Sequence, residues 1–454
     1  MWSAGLSAQV RERAAAGRPL RVGLVGAGAF GTMFLAQARR LPGLHVLGVA
    51  DLDAARARRA LERAGWAPER CAASAAAALS SGGTWITDDA LALIRADGLD
   101  VVVEATGSPS AGIAHALEAI ACGRHVVMVT VEADVLAGPP LARRAARASV
   151  VYSLAYGDQP ALICELVEWA RACGLEVVCA GKGTKYLPAY HRVTPDEVWE
   201  HYGFTSEVVA RGGYNARMFT SFLDTTKSAI EMAAVCNATG LLPQDEGLQF
   251  PPAGVDDLPQ VCRPRSAGGW LSREPTVEVV SSLHRDGRPV PRDLRWGVFV
   301  IVRAPDDYVG HCFAEYGLLT DDSGTYAAMY RPYHLVGLEV TVSVLRAGLR
   351  GEPTGHPGAF VADVVAAAKR DLDPGVVLDG EGGYCVYGAL RSAEWSLREG
   401  ALPVGLTHGA RLLRPVRAGE VLRWPDVAPA ADDAVRLRQE MEREETAARG
   451  QAAG

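Results

Sequence analysis

The sequence contains very little lysine. Of its 46 basic residues, 42 are arginine, and the four lysines are Lys182, Lys185, Lys227 and Lys369. Three of them fall close together, between residues 182 and 227. Arginine keeps its charge near neutral pH, whereas a buried lysine can give up a proton. The clustered lysines are therefore candidates for chemistry that arginine cannot do, and chance retention or a surface position is the alternative.

Other absences exclude whole classes of protein. No run of about 18 uncharged apolar residues is present, so we expect no membrane span, and the arginine-containing N-terminus differs from a signal peptide. The nine cysteines are scattered without a CxxC pair, which favours reduced thiols over a disulfide or zinc framework. The net charge of −7 argues against nucleic-acid binding. We expect a cytoplasmic protein that binds a small-molecule substrate, with neither a membrane nor a nucleic-acid partner.

The order of apolar and amphipathic segments predicts the fold class. From residue 1 to residue 157, short apolar strands alternate with helices, which predicts an α/β, doubly wound parallel sheet of the Rossmann type. Residues 158–380 mix helices and strands and predict an α+β domain, including one long apolar helix in "ARMFTSFLDTTKSAIEMAAVCNATG". Residues 381–454 predict a small β-rich domain followed by a charged helix, whose charges we interpret as a solvated face.

A glycine pattern in the first segment predicts a dinucleotide site. Gly26-x-Gly28-x-x-Gly31 follows an apolar strand and opens a helix, which is the context that this pattern requires. Gly26 permits a tight turn, Gly28 lets the backbone approach a pyrophosphate, and Gly31 lets the helix pack closely. The helix N-terminus, including Ala29 and Phe30, supplies N–H donors for the phosphates. A tight turn without a ligand is the alternative.

The residues after the next strand bear on which nicotinamide cofactor binds. Asp51 ends that strand and would accept the ribose hydroxyls of NAD, while it would repel the 2′-phosphate of NADP. Arg56 and Arg58 follow closely and could bind that phosphate if the loop turns them inward, although a position on the helix surface is the favoured interpretation for both. The choice between NAD and NADP stays open.

Two further strand ends carry polar residues to the predicted ligand-binding edge of the sheet. "VVVEATGS" places Thr106 and Gly107 there, and we expect both to border the nicotinamide ribose. "VTVEAD" places Glu132 there, either as a substrate contact or as a helix N-terminal acid that interacts with the helix dipole.

The second segment supplies the predicted catalytic residues. Asp224, Lys227 and Glu231 are spaced three and four apart, so we expect them on one face of the long helix. A solvent-facing ion-pair ladder is the alternative. The apolar residues around the rest of the helix favour burial, and buried charges need partners or a polar cavity. We therefore predict that this helix forms a pocket wall.

Neighbouring polar residues are candidate substrate contacts. Asn215 and Arg217 could hold a phosphate or carboxylate, and the hydroxyls of Thr225 and Thr226 could add contacts. The glycines around Lys182 and Thr184 suit a close approach of the backbone to substrate. His191 lies in the same region, but a lone histidine is more often a satisfied polar residue than a catalyst.

Several long blocks resemble one family, the DXR-like (DRL) oxidoreductases. They read "VGAGAFG", "VVVEATGSP", "HVVMVTVEADVLAGP", "YSLAYGDQPALICELVEWARACG", "AGKGTKY", "FTSFLDTTKSAIEMAAVCNATGL" and "MYRPYHLVGLE". The resemblance implies a homoserine-dehydrogenase-like protein with a cofactor domain, a central catalytic and dimerisation domain, and a C-terminal SAF domain marked by "VRAGEVLRWPDV". It also implies a homodimer or higher homo-oligomer. The activity it implies is NADPH-dependent conversion of 1-deoxy-D-xylulose 5-phosphate to 2-C-methyl-D-erythritol 4-phosphate, a step of isoprenoid biosynthesis.

The sequence departs from related enzymes at two points. Homoserine dehydrogenases carry a lysine in a "TANK"-like stretch where this chain reads "TVEAD", which argues against homoserine as substrate. No compact acidic triad of the kind that holds Mg²⁺ or Mn²⁺ in ordinary reductoisomerases is visible, so the metal requirement is unknown.

Together these features predict an NAD(P)H-dependent oxidoreductase, with a reductoisomerase reaction on a small phosphorylated ketose as the leading hypothesis. Lys182, Lys185 and Lys227 would polarise the carbonyl and stabilise the enolate or alkoxide, and Asp224 or Glu231 would orient the lysine that moves the proton. One alternative is a dehydrogenase of a hydroxy amino acid, polyol or sugar acid that acts without rearrangement. The other is a non-enzymatic NAD(P)-binding sensor.

Overall fold

The computed structural model describes residues 5–212 and 214–452. The described chain divides into two units. The first comprises the residues up to Leu162 together with Leu335–Gly358, and the second comprises Ile163–His334 and the residues from Ala359 onward. Leu335–Gly358 lies inside the predicted segment 158–380 but folds with the first unit. A separate domain over residues 381–454 stays a prediction.

The helices and strands follow one another in this order. The helices are α1 (Leu6–Ala15), α2 (Ala29–Ala38), α3 (Ala54–Arg63), α4 (Ala75–Ser81), α5 (Ala90–Ile94), α6 (Pro109–Ala121), α7 (Val131–Arg147), α8 (Gln159–Ala172), α9 (Val198–Tyr202), α10 (Ser206–Gly212), α11 (Ala216–Leu223), α12 (Thr226–Thr239), α13 (Leu258–Val261), α14 (Asp307–Glu315), α15 (Thr341–Arg350), α16 (Ala393–Glu399) and α17 (Asp433–Ala452). The strands are β1 (Leu20–Val25), β2 (Leu44–Ala50), β3 (Cys71–Ala72), β4 (Thr84–Thr87), β5 (Val101–Glu104), β6 (His125–Met128), β7 (Tyr152–Leu154), β8 (Glu176–Thr184), β9 (Thr276–Ser281), β10 (Val298–Arg303), β11 (Leu319–Thr320), β12 (Tyr326–Arg331), β13 (Ala362–Ala368), β14 (Val386–Ser392), β15 (Arg411–Leu412) and β16 (Val427–Ala428).

The first unit is built on a seven-stranded parallel sheet in the order β3-β4-β2-β1-β5-β6-β7. This order confirms the predicted doubly wound fold. Val22 and Leu24 of β1 are fully buried in its core together with Phe34 of α2. Because β1 pairs with both β2 and β5, the carboxyl ends of these three strands meet at one edge, where Val25 lies opposite Ala50 and Glu104.

The second unit contains a mixed five-stranded sheet in the order β11-β12-β10-β8-β9. Strand β8 is parallel to β9 and antiparallel to β10, so its residues are flanked on both sides. Two separate antiparallel pairs, β13–β14 and β15–β16, complete the strands of this unit. The apolar core of the sheet includes Val178, Phe299 and Ile301, which are almost fully buried.

The long helix predicted around Asp224 is interrupted. Helix α11 ends at Leu223 and α12 begins at Thr226, with Thr225 between them at a φ of 77°. A positive φ is strained for a β-branched residue, and the break places Asp224 outside the helix that carries Lys227. The prediction that Asp224, Lys227 and Glu231 share one helix face is therefore wrong for Asp224. The expected burial of the helix is confirmed, because every α12 residue from Ser228 to Asn237 is buried.

The charged C-terminal helix differs from the prediction at one residue. Arg438 of α17 is fully buried, where it binds both carboxylate oxygens of Asp363 at 3.1 and 2.5 Å. Its Nε also donates to Glu442 at 2.7 Å. The interpretation of all the α17 charges as a solvated face is thus wrong for Arg438. Among the described residues, no helix has the length and apolar character that a membrane span needs.

Candidate functional site

The glycine turn in the first unit has the geometry that a bound dinucleotide requires. A Cβ on Gly26, which has a φ of +99°, would lie 2.4 Å from the carbonyl oxygen of Ala105. A Cβ on Gly31 would lie 2.4 Å from the carbonyl oxygen of Gly26. A Cβ on Gly28 would meet nothing within 4 Å. Crowding therefore explains two of the glycines, and the third faces the space into which a pyrophosphate would fit.

Helix α2 starts at this turn. Gly28 is its N-cap residue, and Ala29 and Phe30 form the first turn. The N–H groups of a first helical turn have no partner within their own helix. They are therefore available to phosphate oxygens, as the sequence predicts for both residues.

Asp51 lies next to the glycine turn and is held in place by several donors. Its Oδ2 accepts a hydrogen bond from the backbone N–H of Ala27 at 2.8 Å, and its Oδ1 accepts one from Asp53 at 2.9 Å. Arg56 adds an ion pair at 2.7 Å, from a side chain that is 53% exposed. Burial alone would raise the pKa of Asp51, but the hydrogen bonds from Arg56 and the two backbone groups lower it. Asp51 is thus a fixed anion, and Arg56 would have to leave it to bind a 2′-phosphate.

The ends of β5 and β6 form a second group of polar contacts in this unit. The hydroxyl of Thr106 donates to the buried carboxylate of Glu104 at 2.6 Å, and the N–H of Gly107 donates to the hydroxyl of Thr130 at 3.0 Å. Glu132 is half-buried in the first turn of α7, which is compatible with both of its predicted roles. The predicted contacts to the nicotinamide ribose and to substrate stay predictions.

Lys182 in the second unit forms a buried ion pair with Glu231. Lys182 lies on β8, opposite Val279 of β9 and Val298 of β10. Its side chain is 8% exposed and that of Glu231 on α12 is 5% exposed. The two residues were predicted as catalytic from separate segments, and the fold brings them into contact. Glu231 thus supplies the counter-charge that a buried ammonium group needs.

A second buried ion pair joins Asp224 to Lys369, which the sequence analysis did not select. Lys369 Nζ lies 2.7 Å from Asp224 Oδ2 and donates to the carbonyl oxygens of Val193 and Gly383, each at 2.7 Å. Its side chain is 2% exposed. The scarcity of lysine was the available signal, but Lys369 is remote in sequence from the other three lysines.

His191 connects Asp224 to two tyrosines. Its Nδ1 lies 3.2 Å from the carbonyl oxygen of Asp224 and 3.3 Å from the hydroxyl of Thr225. Its Nε2 lies 3.2 Å from the hydroxyl of Tyr186, and its ring packs at 4.7 Å from that of Tyr387. Burial lowers the pKa of His191, and the contact with Asp224 offsets only part of this. A neutral imidazole with its proton on Nδ1 can donate to Asp224 and accept from Tyr186.

The other two predicted lysines occupy different surroundings. Lys185 is half-buried, donates to the carbonyl oxygen of His201 and lies 5.5 Å from the centre of the Tyr202 ring. Burial lowers the pKa of Lys185, and the nearby charge of Arg295 lowers it further. Lys227 is half-buried in the first turn of α12. Both side chains are therefore partly shielded from water. A catalytic role for either lysine stays a prediction.

Three of the residues predicted to contact substrate, Asn215, Arg217 and Thr226, form hydrogen bonds with backbone groups. Asn215 caps α11 by accepting from the N–H of Arg217 at 3.0 Å. The Arg217 guanidinium donates to the carbonyl oxygen of Asp379. The hydroxyl of Thr226 accepts from the N–H of Gly388 at 2.8 Å, and Thr184 is buried at the end of β8. These contacts fix the residues, and their binding of substrate stays a prediction.

The sequence does not indicate whether the protein requires a metal ion. In the part of the chain that the structure describes, no three His, Cys, Asp or Glu side chains are grouped so that they could hold a metal ion. All nine cysteines fall within that part, and none of them forms a disulfide there.

The middle of the chain is similar to a known family. Residues 157–340 match the family described as "Oxidoreductase DRL, catalytic domain", which is less than half of the chain. A comparison with curated proteins finds no match. The family match supports the oxidoreductase part of the prediction, while the SAF identity of the C-terminal residues stays a prediction.

Solved structures with a similar fold include three bacterial proteins. A probable dehydrogenase from Thermotoga maritima is 13% identical over 74% of this chain and 90% of its own, with a TM-score of 0.36. An NAD binding oxidoreductase from Klebsiella pneumoniae is 18% identical over 69% and 66%, with a TM-score of 0.32. An oxidoreductase from Agrobacterium radiobacter, in complex with NAD+, L-tartaric acid and magnesium, is 16% identical, with a TM-score of 0.27. The similarity spans 37% of this chain and less than half, 44%, of the Agrobacterium protein.

The fold and the family match together indicate an oxidoreductase. The first unit has the Rossmann fold that nicotinamide-dependent oxidoreductases use. The family match includes all of Ile163–His334, the first of the two segments that form the second unit. Fold and family similarity do not determine the substrate.

Proposed function

We propose that this protein is an NAD(P)-dependent oxidoreductase that transfers hydride to or from a small polar carbonyl compound. The observation that carries this proposal is the buried Lys182–Glu231 ion pair in the oxidoreductase-like unit. It is supported by a glycine turn whose open side, at Gly28, suits a pyrophosphate. The bound nicotinamide supplies the hydride, and Gly26, Gly28, Gly31 and Asp51 would hold the cofactor.

Lys182 is the proposed electrophile. Its ammonium group donates a hydrogen bond to the substrate carbonyl oxygen, which makes the carbonyl carbon more electron-poor. As hydride adds to that carbon, the oxygen becomes an alkoxide that Lys182 stabilises and then protonates. Glu231 holds the ammonium group through the buried ion pair between turnovers, so its role is to position Lys182.

The Tyr186–His191 pair is proposed to position the start of α12, the helix that carries Glu231. The hydroxyl of Tyr186 donates a hydrogen bond to Nε2 of the neutral imidazole, and the Nδ1–H donates to the carbonyl oxygen of Asp224. The strained backbone of Thr225 adds weight to this position, since such strain is concentrated at functional sites. Lys369 supports this group indirectly, because its ion pair fixes the carboxylate of Asp224.

For the substrate, we propose a phosphorylated ketose and a reductoisomerase reaction. A base removes a hydroxyl proton, a carbon–carbon bond breaks to leave an enolate and an aldehyde, and the two rejoin through a new carbon–carbon bond. The resulting aldehyde then accepts hydride. Lys182, with Lys185 or Lys227, would stabilise the enolate, and Arg217 would hold the phosphate. The similarity to the DRL catalytic domain supports this choice.

A dehydrogenase that acts without rearrangement is the second candidate. It uses the same Lys182–Glu231 pair and hydride step and needs no enolate. The observation that favours it is that Arg217 already donates to the carbonyl oxygens of Asp379 and Glu381, so a phosphate would have to displace these contacts.

The test is oxidation of NADPH and of NADH with ketose phosphates and aldehydes, with and without Mn²⁺. Turnover of 1-deoxy-D-xylulose 5-phosphate supports the reductoisomerase. Turnover of an aldehyde, but not of the isomeric ketone, supports the dehydrogenase. Binding of NADPH without turnover of any of these compounds would point to a cofactor sensor and overturn the proposal.

A further inference from the structure

The second unit contains a groove whose lining includes none of the proposed catalytic residues. It has a volume of about 480 Å³ and runs between the loop after α12, the start of β13 and helices α16 and α17. This volume is within the range of small-molecule sites. Its apolar lining consists mainly of Leu242, Pro243, Phe360 and Trp395.

The charged lining of the groove has a small positive excess. Four arginines, Arg273, Arg391, Arg398 and Arg449, face three acids, Asp245, Glu394 and Glu445. Two of these charges, on Arg273 and Asp245, are paired with each other at 3.0 Å. Arg398 is also paired with Glu399, just outside the lining, at 3.5 Å. The charges around the groove are therefore nearly balanced, which suits a ligand with a single negative charge better than a polyanion.

Arg391 is fixed in this groove by neutral groups. Its Nη1 donates to the carbonyl oxygens of Glu246 and Leu390, each at 3.0 Å, and its guanidinium lies 5.5 Å from the centre of the Trp395 ring. Gly247 permits this close fit, because a Cβ there would lie 2.4 Å from Nη1. The side chain is therefore oriented before any ligand arrives.

The charge of Arg391 has no acidic partner among the described residues. Two other arginines of the same unit with little exposure are paired with carboxylates: Arg263 with Asp321, and Arg438 with Asp363 and Glu442. Arg391 forms no such ion pair, and its Nε and Nη2 are left for other acceptors. A largely buried charge without a counter-charge is costly unless a ligand supplies one.

We propose that this groove binds an organic monocarboxylate. The carboxylate accepts two parallel hydrogen bonds from Nε and Nη2 of Arg391, the geometry that guanidinium groups favour. The apolar body of the ligand lies against Leu242, which is 40% exposed, and the half-buried Trp395. This site is independent of the proposed oxidoreductase activity, since none of its lining residues belongs to the catalytic group.

The test is calorimetric titration of the full chain with phenylacetate, phenyl phosphate and inorganic phosphate. We expect phenylacetate to bind at one site per chain and Arg391→Gln to weaken this binding about tenfold or more. Arg391→Lys keeps the charge but loses the paired donors, so it should also weaken binding. Arg417→Gln is the matched control, because it removes an exposed positive charge of the same unit and should leave binding unchanged.

A thermal measurement separates a binding role from a structural one. Phenylacetate should raise the Tm of the wild-type protein and of Arg417→Gln, but not that of Arg391→Gln. If Arg391→Gln does not fold, the comparison rests on Arg391→Lys. Equal binding of phenylacetate by the wild type and the Arg391 variants would overturn the proposal, as would a clear preference for phenyl phosphate or inorganic phosphate. These outcomes do not depend on turnover, so they are distinct from failure of the proposed reaction.

Discussion

Lys369 forms an ion pair with Asp224 at the break between α11 and α12, with 2.7 Å between Nζ and Oδ2. The ion pair is almost completely buried, and the same ammonium group binds the carbonyl oxygens of Val193 and Gly383. Asp224 Oδ1 in turn accepts from the N–H of Thr226, the first residue of α12. A residue after β13 thus fixes the start of the helix that carries Lys227 and Glu231.

Replacing Lys369 by Met should therefore destabilise the protein. Removal of one partner leaves the other charge buried and unpaired, which costs about 3–5 kcal/mol. Asp224→Asn should cost a similar amount, and the double variant should cost clearly less than the sum of the two. Urea unfolding of all four proteins measures this coupling. Two additive effects, each below about 1 kcal/mol, would show that the pair contributes little.

Lys182→Met should lower kcat without weakening cofactor binding. Loss of one donor to a developing oxyanion reduces kcat about 100- to 1000-fold in other enzymes. Lys182→Arg is the control, because it keeps a positive charge but cannot deliver a proton near neutral pH. We expect it to recover little activity. Full activity in Lys182→Arg would show that charge alone suffices, and unchanged kcat in Lys182→Met would exclude the proposed role.

Gly28→Ala and Gly31→Ala should fail in different ways. An alanine at position 28 has free space around its Cβ, so the variant should keep the Tm of the wild type but lose affinity for NAD(P)H. An alanine at position 31 would meet the carbonyl oxygen of Gly26 at 2.4 Å, so this variant should have a lower Tm. Thermal unfolding and cofactor fluorescence titration measure the two effects. Wild-type cofactor affinity in Gly28→Ala would contradict the predicted pyrophosphate position.

Asp51→Ala should shift the cofactor preference toward NADPH. The substitution removes the anion that would repel a 2′-phosphate and releases Arg56, which is otherwise bound to that anion at 2.7 Å. The ratio of kcat/KM for NADPH to that for NADH should rise by about tenfold or more, since a charge-assisted hydrogen bond is worth about 1.5–3 kcal/mol. In the double variant Asp51→Ala, Arg56→Gln, this gain should disappear. A gain that persists there would mean that Arg56 does not bind the phosphate.

The first unit could be predicted from sequence because its signals are local. The strand before Gly26, the glycine spacing and Asp51 lie within one short segment, and each residue has the geometry that the pattern indicates. The strands β3 and β4 were not predicted, because they have two and four residues and carry no long apolar run.

The second unit was harder to predict because its decisive contacts join distant segments. Lys369 and Asp224 form a pair that neither local sequence indicates, and the same holds for Arg438 and Asp363. The apolar pattern on both sides of Asp224 also favours a continuous helix. The chain instead breaks at Thr225, whose hydroxyl lies 3.3 Å from His191 Nδ1. Lys182, the proposed catalytic lysine, was selected through composition, whereas its contact with Glu231 could be seen only in the fold.

The pH dependence of stability should report on a buried acid in the first unit. Asp134 is fully buried, and burial raises its pKa to about 7, although the hydroxyl of Tyr152 offsets part of the shift. A carboxyl whose pKa is higher in the folded than in the unfolded protein stabilises the fold at low pH, and this stabilisation is lost as the pH rises toward 7. The wild-type Tm should therefore fall between pH 5 and pH 8.

Asp134→Asn should reduce that fall, because an amide does not titrate. Glu278→Gln is the comparison: burial likewise raises the pKa of Glu278 to about 7, but its carboxylate accepts backbone N–H bonds from Gln249, Phe250 and Val279. Losing a carboxylate that satisfies these donors should lower the Tm at every pH, whereas Asp134→Asn should raise the Tm at pH 8 relative to the wild type. Differential scanning calorimetry at both pH values measures this. An equally steep fall in Asp134→Asn and the wild type would show that Asp134 does not titrate in this range.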